Sequence, residues 1–81
     1  MTPNRLLIID DDPDIRSLFR IFAETFGYAV TEGGNGTESL IEYDRVIPSV
    51  IILDLSMPEQ DGVEILRELA TRGCTVPIIL A

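Results

Sequence analysis

Apolar and polar positions fall along this chain in blocks whose periods differ, and each period predicts an element. Arg5-Leu6-Leu7-Ile8-Ile9-Asp10 is an unbroken apolar run stopped by acids, the pattern of a strand buried on both faces. Asp12-Pro13 then supplies an N-cap and a first-turn proline. Ile15, Leu18, Phe19, Phe22, Ala23 and Phe26 recur at helical spacing as far as Gly27, predicting a helix over about 13–26. Tyr28 to Glu32 reads as a second strand, and Gly33-Gly34-Asn35-Gly36 as a loop with several positions free to take positive φ. Leu40, Ile41 and Tyr43 predict a second, weaker helix from Thr37 to about Asp44, which Pro48 prevents from running further. Ser49 to Asp54 is a third strand, again apolar and again closed by an acid. Asp61 caps a third helix carrying Ile65, Leu66, Leu69 and Ala70 up to Gly73, and Val76 to Ala81 begins a fourth strand.

The order is therefore βαβαβαβ. Strands that alternate with helices and lack period-two polarity imply an α/β protein with a parallel sheet and helices on both faces. Because crossovers are right-handed, helices change face only where the strand order reverses. Ligands in such sheets bind beyond the carboxyl ends of the strands at that reversal, and Asp10, Asp11 and Asp54 stand at two such ends.

Composition narrows the chemistry. Eighty-one residues make one small domain. Six basic residues against fourteen acidic ones give a net charge of −8, a field that repels phosphate backbones and anionic lipid, so direct nucleic-acid binding is not expected. All six basic residues are arginine, and histidine and lysine are both absent. Those absences remove Ser-His-Asp and Cys-His catalysis, His-ligated zinc, a lysine Schiff base and a phosphohistidine on this chain. The single cysteine, Cys74, forms no internal disulfide and fits a reducing cytoplasm; it reads as a small loop or core residue. The apolar runs are strand-sized, far short of the ~20 residues that cross a bilayer, so no membrane partner is expected. Carboxylates are what remains for chemistry.

If the first and third strands are neighbours about 4.8 Å apart, the carboxylates of Asp10, Asp11 and Asp54 converge. Like charges that close raise one another's pKa or demand a cation. A hard divalent ion with oxygen ligands answers the demand, and Mg²⁺ is favoured over Ca²⁺ because the protein ligands are few. The other acids have simpler readings. Asp12 before Pro13 and Asp61 before Gly62 read as helix caps, and Asp14 as a first-turn acid beside the helix dipole.

Three stretches together resemble the receiver domain of bacterial two-component response regulators. They are Leu6 to Pro13 with its Asp10-Asp11-Asp12, Ile51-Ile52-Leu53-Asp54-Leu55-Ser56-Met57-Pro58 running into Asp61-Gly62, and Val76-Pro77-Ile78-Ile79-Leu80. The resemblance implies a flavodoxin-like, doubly wound parallel sheet of strand order 2-1-3-4. It implies that Asp54 accepts a phosphoryl group from the phosphohistidine of a sensor histidine kinase. Asp11 would ligate Mg²⁺ directly, Asp10 mainly through water, and the backbone carbonyl of Ser56 would be a third protein ligand. Pro58 and Gly62 would shape the loop after the nucleophile.

The resemblance covers every element here and corresponds to the N-terminal part of such a domain, residues 1–81 being a truncated receiver without its final helices and fifth strand. The family's Ser or Thr after the fourth strand and its later Lys have no counterpart among these residues, so switching is expected to be impaired. One helix, about 10–12 Å wide, covers only part of one face of a four-strand sheet on the order of 19 Å wide. Either a homodimer or larger assembly covers that face, or these residues are a piece of a longer chain. Two other readings stand beside this one. The first is a metal-binding or interacting remnant that is never phosphorylated. The second is a phosphatase of the haloacid dehalogenase type, suggested by the Asp-x-Asp of Asp10 to Asp12, although Asp14 stands where its Thr is expected and it needs a Lys.

Overall fold

The computed structural model describes residues 4–57 and 62–81; Pro58 and Asp61, expected to shape a loop and to cap a helix, lie outside the described residues. The elements are β1 (Arg5–Ile9), α1 (Pro13–Thr25), β2 (Ala29–Gly33), α2 (Gly36–Val46), β3 (Val50–Leu53), α3 (Gly62–Thr71) and β4 (Ile78–Leu80). All pairings are parallel and the strand order is β2-β1-β3-β4. The chain thus has the expected α/β architecture, its strand order reversing at β1.

Local chemistry explains where the elements begin and end. Asp12 caps α1 by accepting from the amide of Asp14 at 2.9 Å, and Pro13 occupies the first helical turn, where no donor is lost. Gly27, at φ 88°, follows the helix in a conformation that disfavours any Cβ. Asn35 caps α2 through the Glu38 amide at 2.8 Å, while the Glu38 carboxylate accepts from Gly34 N–H at 3.0 Å, a reciprocal pair that ties both ends of the turn. This helix runs past the expected end at Asp44 to Val46. Ile47 then closes it in the left-handed region, and Pro48 follows. The glycines of the 33–36 loop do not use positive φ. Gly33 instead gives room to Ser39, whose atoms a Cβ there would strike, and a Cβ on Gly34 would lie 3.1 Å from Arg16 Nη1.

The two faces of the sheet are covered unequally. On one, Leu7, Ile9, Ile51 and Leu53 form a core with Met57 and with Ile65 and Leu69 of α3, flanked by Leu40 and Tyr43 of α2. On the other, α1 lies over β1 and β2 and covers Leu6 and Ile8. Arg16 and Arg20 of α1 reach Glu32 on β2. At 3.6 residues per turn, Ile15, Phe22 and Phe26 lie about 120° round the helix from those arginines, on the flank away from β2. Of the six apolar positions that predict α1, only Phe19 and Ala23 are partly buried, whereas Leu18, Phe22 and Phe26 are 64–69% exposed. Ile79 of β4, which follows the Ile8–Ile52 row across the sheet, is also more than half exposed. Part of one apolar face is therefore open, as the width of a single helix requires. No helix among the described residues is long and apolar enough to cross a membrane.

Candidate functional site

Register brings the acids together. Ile9 pairs with Leu53, so the next residue of each strand, Asp10 and Asp54, emerges side by side at the carboxyl edge of the sheet. Two backbone bonds fix these tips: Asp54 N–H donates to the Ile9 carbonyl at 2.9 Å, and Asp10 N–H donates to the Gly33 carbonyl at 3.1 Å. One carboxylate oxygen each from Asp10, Asp11 and Asp54 lie within 4.8 Å of one another. Asp10 is buried, Asp54 half-buried and Asp11 exposed.

Each strand tip turns on its own acid. Asp10 Oδ1 accepts from the amide of Asp12 at 2.9 Å, and Asp54 Oδ1 accepts from both the amide and the hydroxyl of Ser56, at 2.9 and 2.7 Å. These are Asx turns, in which a short carboxylate satisfies the donor two residues on. They separate the two acids electrostatically. Burial raises the pKa of Asp10, partly offset by the Asp12 amide, and the Asp54 and Asp11 charges push it further up. The Ser56 hydroxyl, followed by its amide, holds Asp54 below the usual carboxylate range. The two shifts run in opposite directions, so of the pair Asp54 is the readier to ionise and Asp10 the readier to hold a proton.

This cluster can hold a metal ion. Its donors are oxygens alone, with no His and no Cys among them, which suits a small hard cation rather than zinc. A buried acid with a raised pKa and an exposed acid beside it are groups whose ionised forms a divalent charge would stabilise. Asp12 takes no part; its carboxylate is occupied with the α1 cap, which dismantles the Asp-x-Asp motif. Cys74 is half-buried with its thiol 3.9 Å from the Val76 carbonyl, and its proximity raises the Tyr43 phenol pKa.

Two contributors were not foreseen from the sequence. The Ser56 side chain bonds Asp54 directly, whereas only its carbonyl was expected to matter. Arg16 Nη1 donates to the Asp10 carbonyl at 2.6 Å. Its only sequence signal is a cation six residues after Asp10, on the first turns of the following helix.

A parallel sheet that reverses at β1, with three acids at the reversal, defines a class of phosphoryl- or metal-binding α/β domains. Within that class the match is specific: the family model for the response regulator receiver domain covers residues 6–81, and the chain belongs to that family. It is 42% identical over 77 residues to an uncharacterized 14.6 kDa protein of Leptolyngbya boryana, covering 91% of this chain and 58% of that protein. It is 37% identical over 76 residues to the transcriptional regulatory protein ResD of Bacillus subtilis, covering 94% of this chain and 31% of ResD. Among solved structures, the response regulator TrrA of Thermotoga maritima in complex with Mg²⁺-BeF superposes with a TM-score of 0.86 at 32% identity, over 95% of this chain and 67% of TrrA. The chemotaxis protein CheY4 of Vibrio cholerae gives a TM-score of 0.91 at 26% identity, over 98% and 68%. The chain thus spans a third to about three fifths of the length of these sequence relatives. Receiver domains are signalling domains rather than classical enzymes, and response regulators interact with histidine kinases.

Proposed function

We propose that this chain is a phosphoacceptor that takes a phosphoryl group from the phosphohistidine of a sensor histidine kinase onto Asp54, with Mg²⁺ at Asp10, Asp11, Asp54 and the Ser56 carbonyl. The observation that carries the reading is the convergence of the three carboxylates, with Asp54 held below the usual carboxylate range by Ser56. Phosphoryl transfer asks mainly for positioning and charge neutralisation, which a fixed carboxylate beside a cation cradle provides. Mg²⁺ bound there supplies positive charge to the phosphoryl oxygens.

The residues of this chain do the rest. The Ser56 turn holds Asp54 Oδ1, leaving Oδ2 outside that turn to attack phosphorus. An oxygen–phosphorus bond forms as the nitrogen–phosphorus bond breaks, the electron pair returns to the imidazole, and Asp54 becomes an acyl phosphate. The rungs from Ile9 and Gly33 keep the acids in place throughout. The setting that suits this role is the cytoplasm. TrrA, whose structure is a complex with Mg²⁺-BeF, supports the metal assignment by likeness.

The test is transfer of radiolabel from an autophosphorylated histidine kinase, or from acetyl phosphate, in the presence of Mg²⁺. Label should appear on the wild-type chain and vanish in Asp54→Asn. Label that persists in that variant removes Asp54 from the role, and Mg²⁺ binding without any labelling favours a metal-binding remnant.

A further inference from the structure

We propose that Arg16 is a positioning residue for the metal cradle, setting the direction of Asp11 through the backbone; the proposal rests on the Mg²⁺ assignment above. Asp11 is exposed, so packing against the described residues does little to orient its side chain. What orients it is the pair of peptide planes on either side. The first plane, joining Asp10 to Asp11, is held by its oxygen, which accepts from Arg16 Nη1 at 2.6 Å. The second, joining Asp11 to Asp12, is held by its N–H, which donates to Asp10 Oδ1 at 2.9 Å. Since each peptide unit is rigid, holding one atom of each plane restrains the Cα of Asp11 and the direction in which its Cα–Cβ bond leaves the backbone.

Arg16 is itself anchored rather than free to follow the loop. Its Nε donates to Glu32 Oε1 at 3.0 Å, and the other oxygen of Glu32 is taken by Arg20 Nε at 2.7 Å. Arg16 is only 17% exposed in its side chain and Glu32 26%. Gly34 leaves the space beside the guanidinium, where any Cβ would come within 3.1 Å of Nη1. The clamp therefore runs from β2 through Arg16 to the first residue past β1. Lysine cannot replace it fully, because only a guanidinium offers separated donors in a fixed fork to a carboxylate and a carbonyl at once.

The sign of the effect separates this role from simple electrostatics. A guanidinium near three acids opposes a divalent cation by Coulomb repulsion, so removing its charge alone should tighten Mg²⁺ binding. Removing a positioning contact should weaken it, and loss of an outer partner of a metal ligand typically costs about 10–100-fold in affinity.

The experiment is calorimetric Mg²⁺ titration of the 81-residue chain as wild type, Arg16→Gln, Arg16→Lys and Glu32→Gln, with folding checked by circular dichroism. Alongside it, the backbone order parameter of Asp11 is measured by NMR in metal-free protein. Arg16→Gln should weaken Mg²⁺ about tenfold or more, Arg16→Lys should recover part of the loss, and Glu32→Gln, which keeps the arginine charge but loosens its anchor, should lower the Asp11 order parameter. The Asp11 order parameter should drop from about 0.85 towards 0.6 in Arg16→Gln. Unchanged or tighter Mg²⁺ binding in Arg16→Gln overturns the proposal. An unchanged order parameter overturns it as well, and does so even if wild type binds no Mg²⁺, the result that would sink the metal assignment instead. Should Arg16→Gln fail to fold, Glu32→Gln decides by the Asp11 order parameter, which a mere change of charge would leave unmoved.

Discussion

Asp54 sits one residue past the last rung between β1 and β3, its amide bonded at 2.9 Å to the carbonyl of Ile9, the residue that precedes Asp10. That rung converts a pairing register into a distance between carboxylates. A slip of one residue would turn every side chain of β3 to the opposite face, burying Asp54 in the core. The site is thus as secure as the apolar pairing Leu7–Ile51 and Ile9–Leu53 beneath it.

Binding of Mg²⁺ to the folded chain alone should raise its melting temperature. At a concentration a hundred times Kd the gain is about 2.7 kcal/mol, and in a domain of this size each 1 kcal/mol shifts the midpoint by roughly 4–8 °C. Thermal melts with and without Mg²⁺ should show the upshift in wild type and its loss in Asp11→Asn. An equal shift in that variant would place the ion elsewhere.

Asp10 is buried beside two like charges, and burial is the largest reason its pKa is raised. Asp10→Asn keeps an oxygen to accept the Asp12 amide while removing the charge. Metal-free protein should therefore gain stability, by about 1 kcal/mol on the scale of a crowded buried charge, and lose Mg²⁺ affinity at the same time. Chemical denaturation without metal checks the sign; a destabilised variant would show that the carboxylate is supported by contacts that an amide cannot make.

Gly62 opens α3 against the backbone of Leu55, the residue after Asp54. A Cβ there would lie 2.7 Å from Leu55 Cα and 3.0 Å from the Asp54 carbonyl oxygen. Gly62→Ala should cost about 1–3 kcal/mol, the usual toll of overpacking, and should weaken Mg²⁺ because the relief comes from moving the Asp54–Leu55 segment. Denaturant midpoints together with Mg²⁺ titration test both halves.

Glu32 has its pKa lowered, chiefly by the Arg20 hydrogen bond and further by Arg16. A depressed folded-state pKa means that its stabilisation is complete above the ordinary value of 4.5 and fades as pH falls through the lower folded value. The stability difference between wild type and Glu32→Gln should accordingly be constant near neutrality and shrink on acidification below 4.5. Melts from pH 7 down to 3 provide the curve, and a gap that widens on acidification would contradict it.

The open face makes a statement about association. Each copy owns both an exposed helical stripe, Leu18, Phe22 and Phe26, and an uncovered strip of sheet at Ile79. A second copy offers a helix of the right size to the strip, reciprocally, as a two-fold contact requires. The 81-residue chain should sediment as a dimer at micromolar concentration. Association should strengthen with salt, which screens the repulsion between two chains of charge −8, and Phe22→Glu should abolish it. A salt-independent monomer would refute the pairing.

Much of this was visible in the residues. The apolar runs ending in Asp10 and Asp54 are strands, β1 buried from Leu6 to Ile9 and β3 at Ile51 and Leu53, whose polar stops mark the sheet edge, and the Asp12-Pro13 cap is a local feature that tertiary packing does not override. Element ends were less legible. The α2 helix outruns its pattern because Ile47, a β-branched residue, takes the left-handed turn that sequence would assign to glycine. The glycines of the 33–36 loop answer to Ser39 and Arg16, partners distant enough that only the fold reveals why no side chain fits. Helix periodicity marked an apolar stripe on α1 without saying that the sheet would meet its edge rather than its centre. Arg16 was one arginine among six until β2 placed Glu32 beside it.

That anchorage has a bearing on chimeras. The aspartate loop after β1 looks like a portable cassette, yet the hand that steadies it reaches across from a different strand. Transplanting the loop between related domains without its arginine and the matching glutamate would carry over Asp10 and Asp11 but not the contact that holds the carbonyl between them.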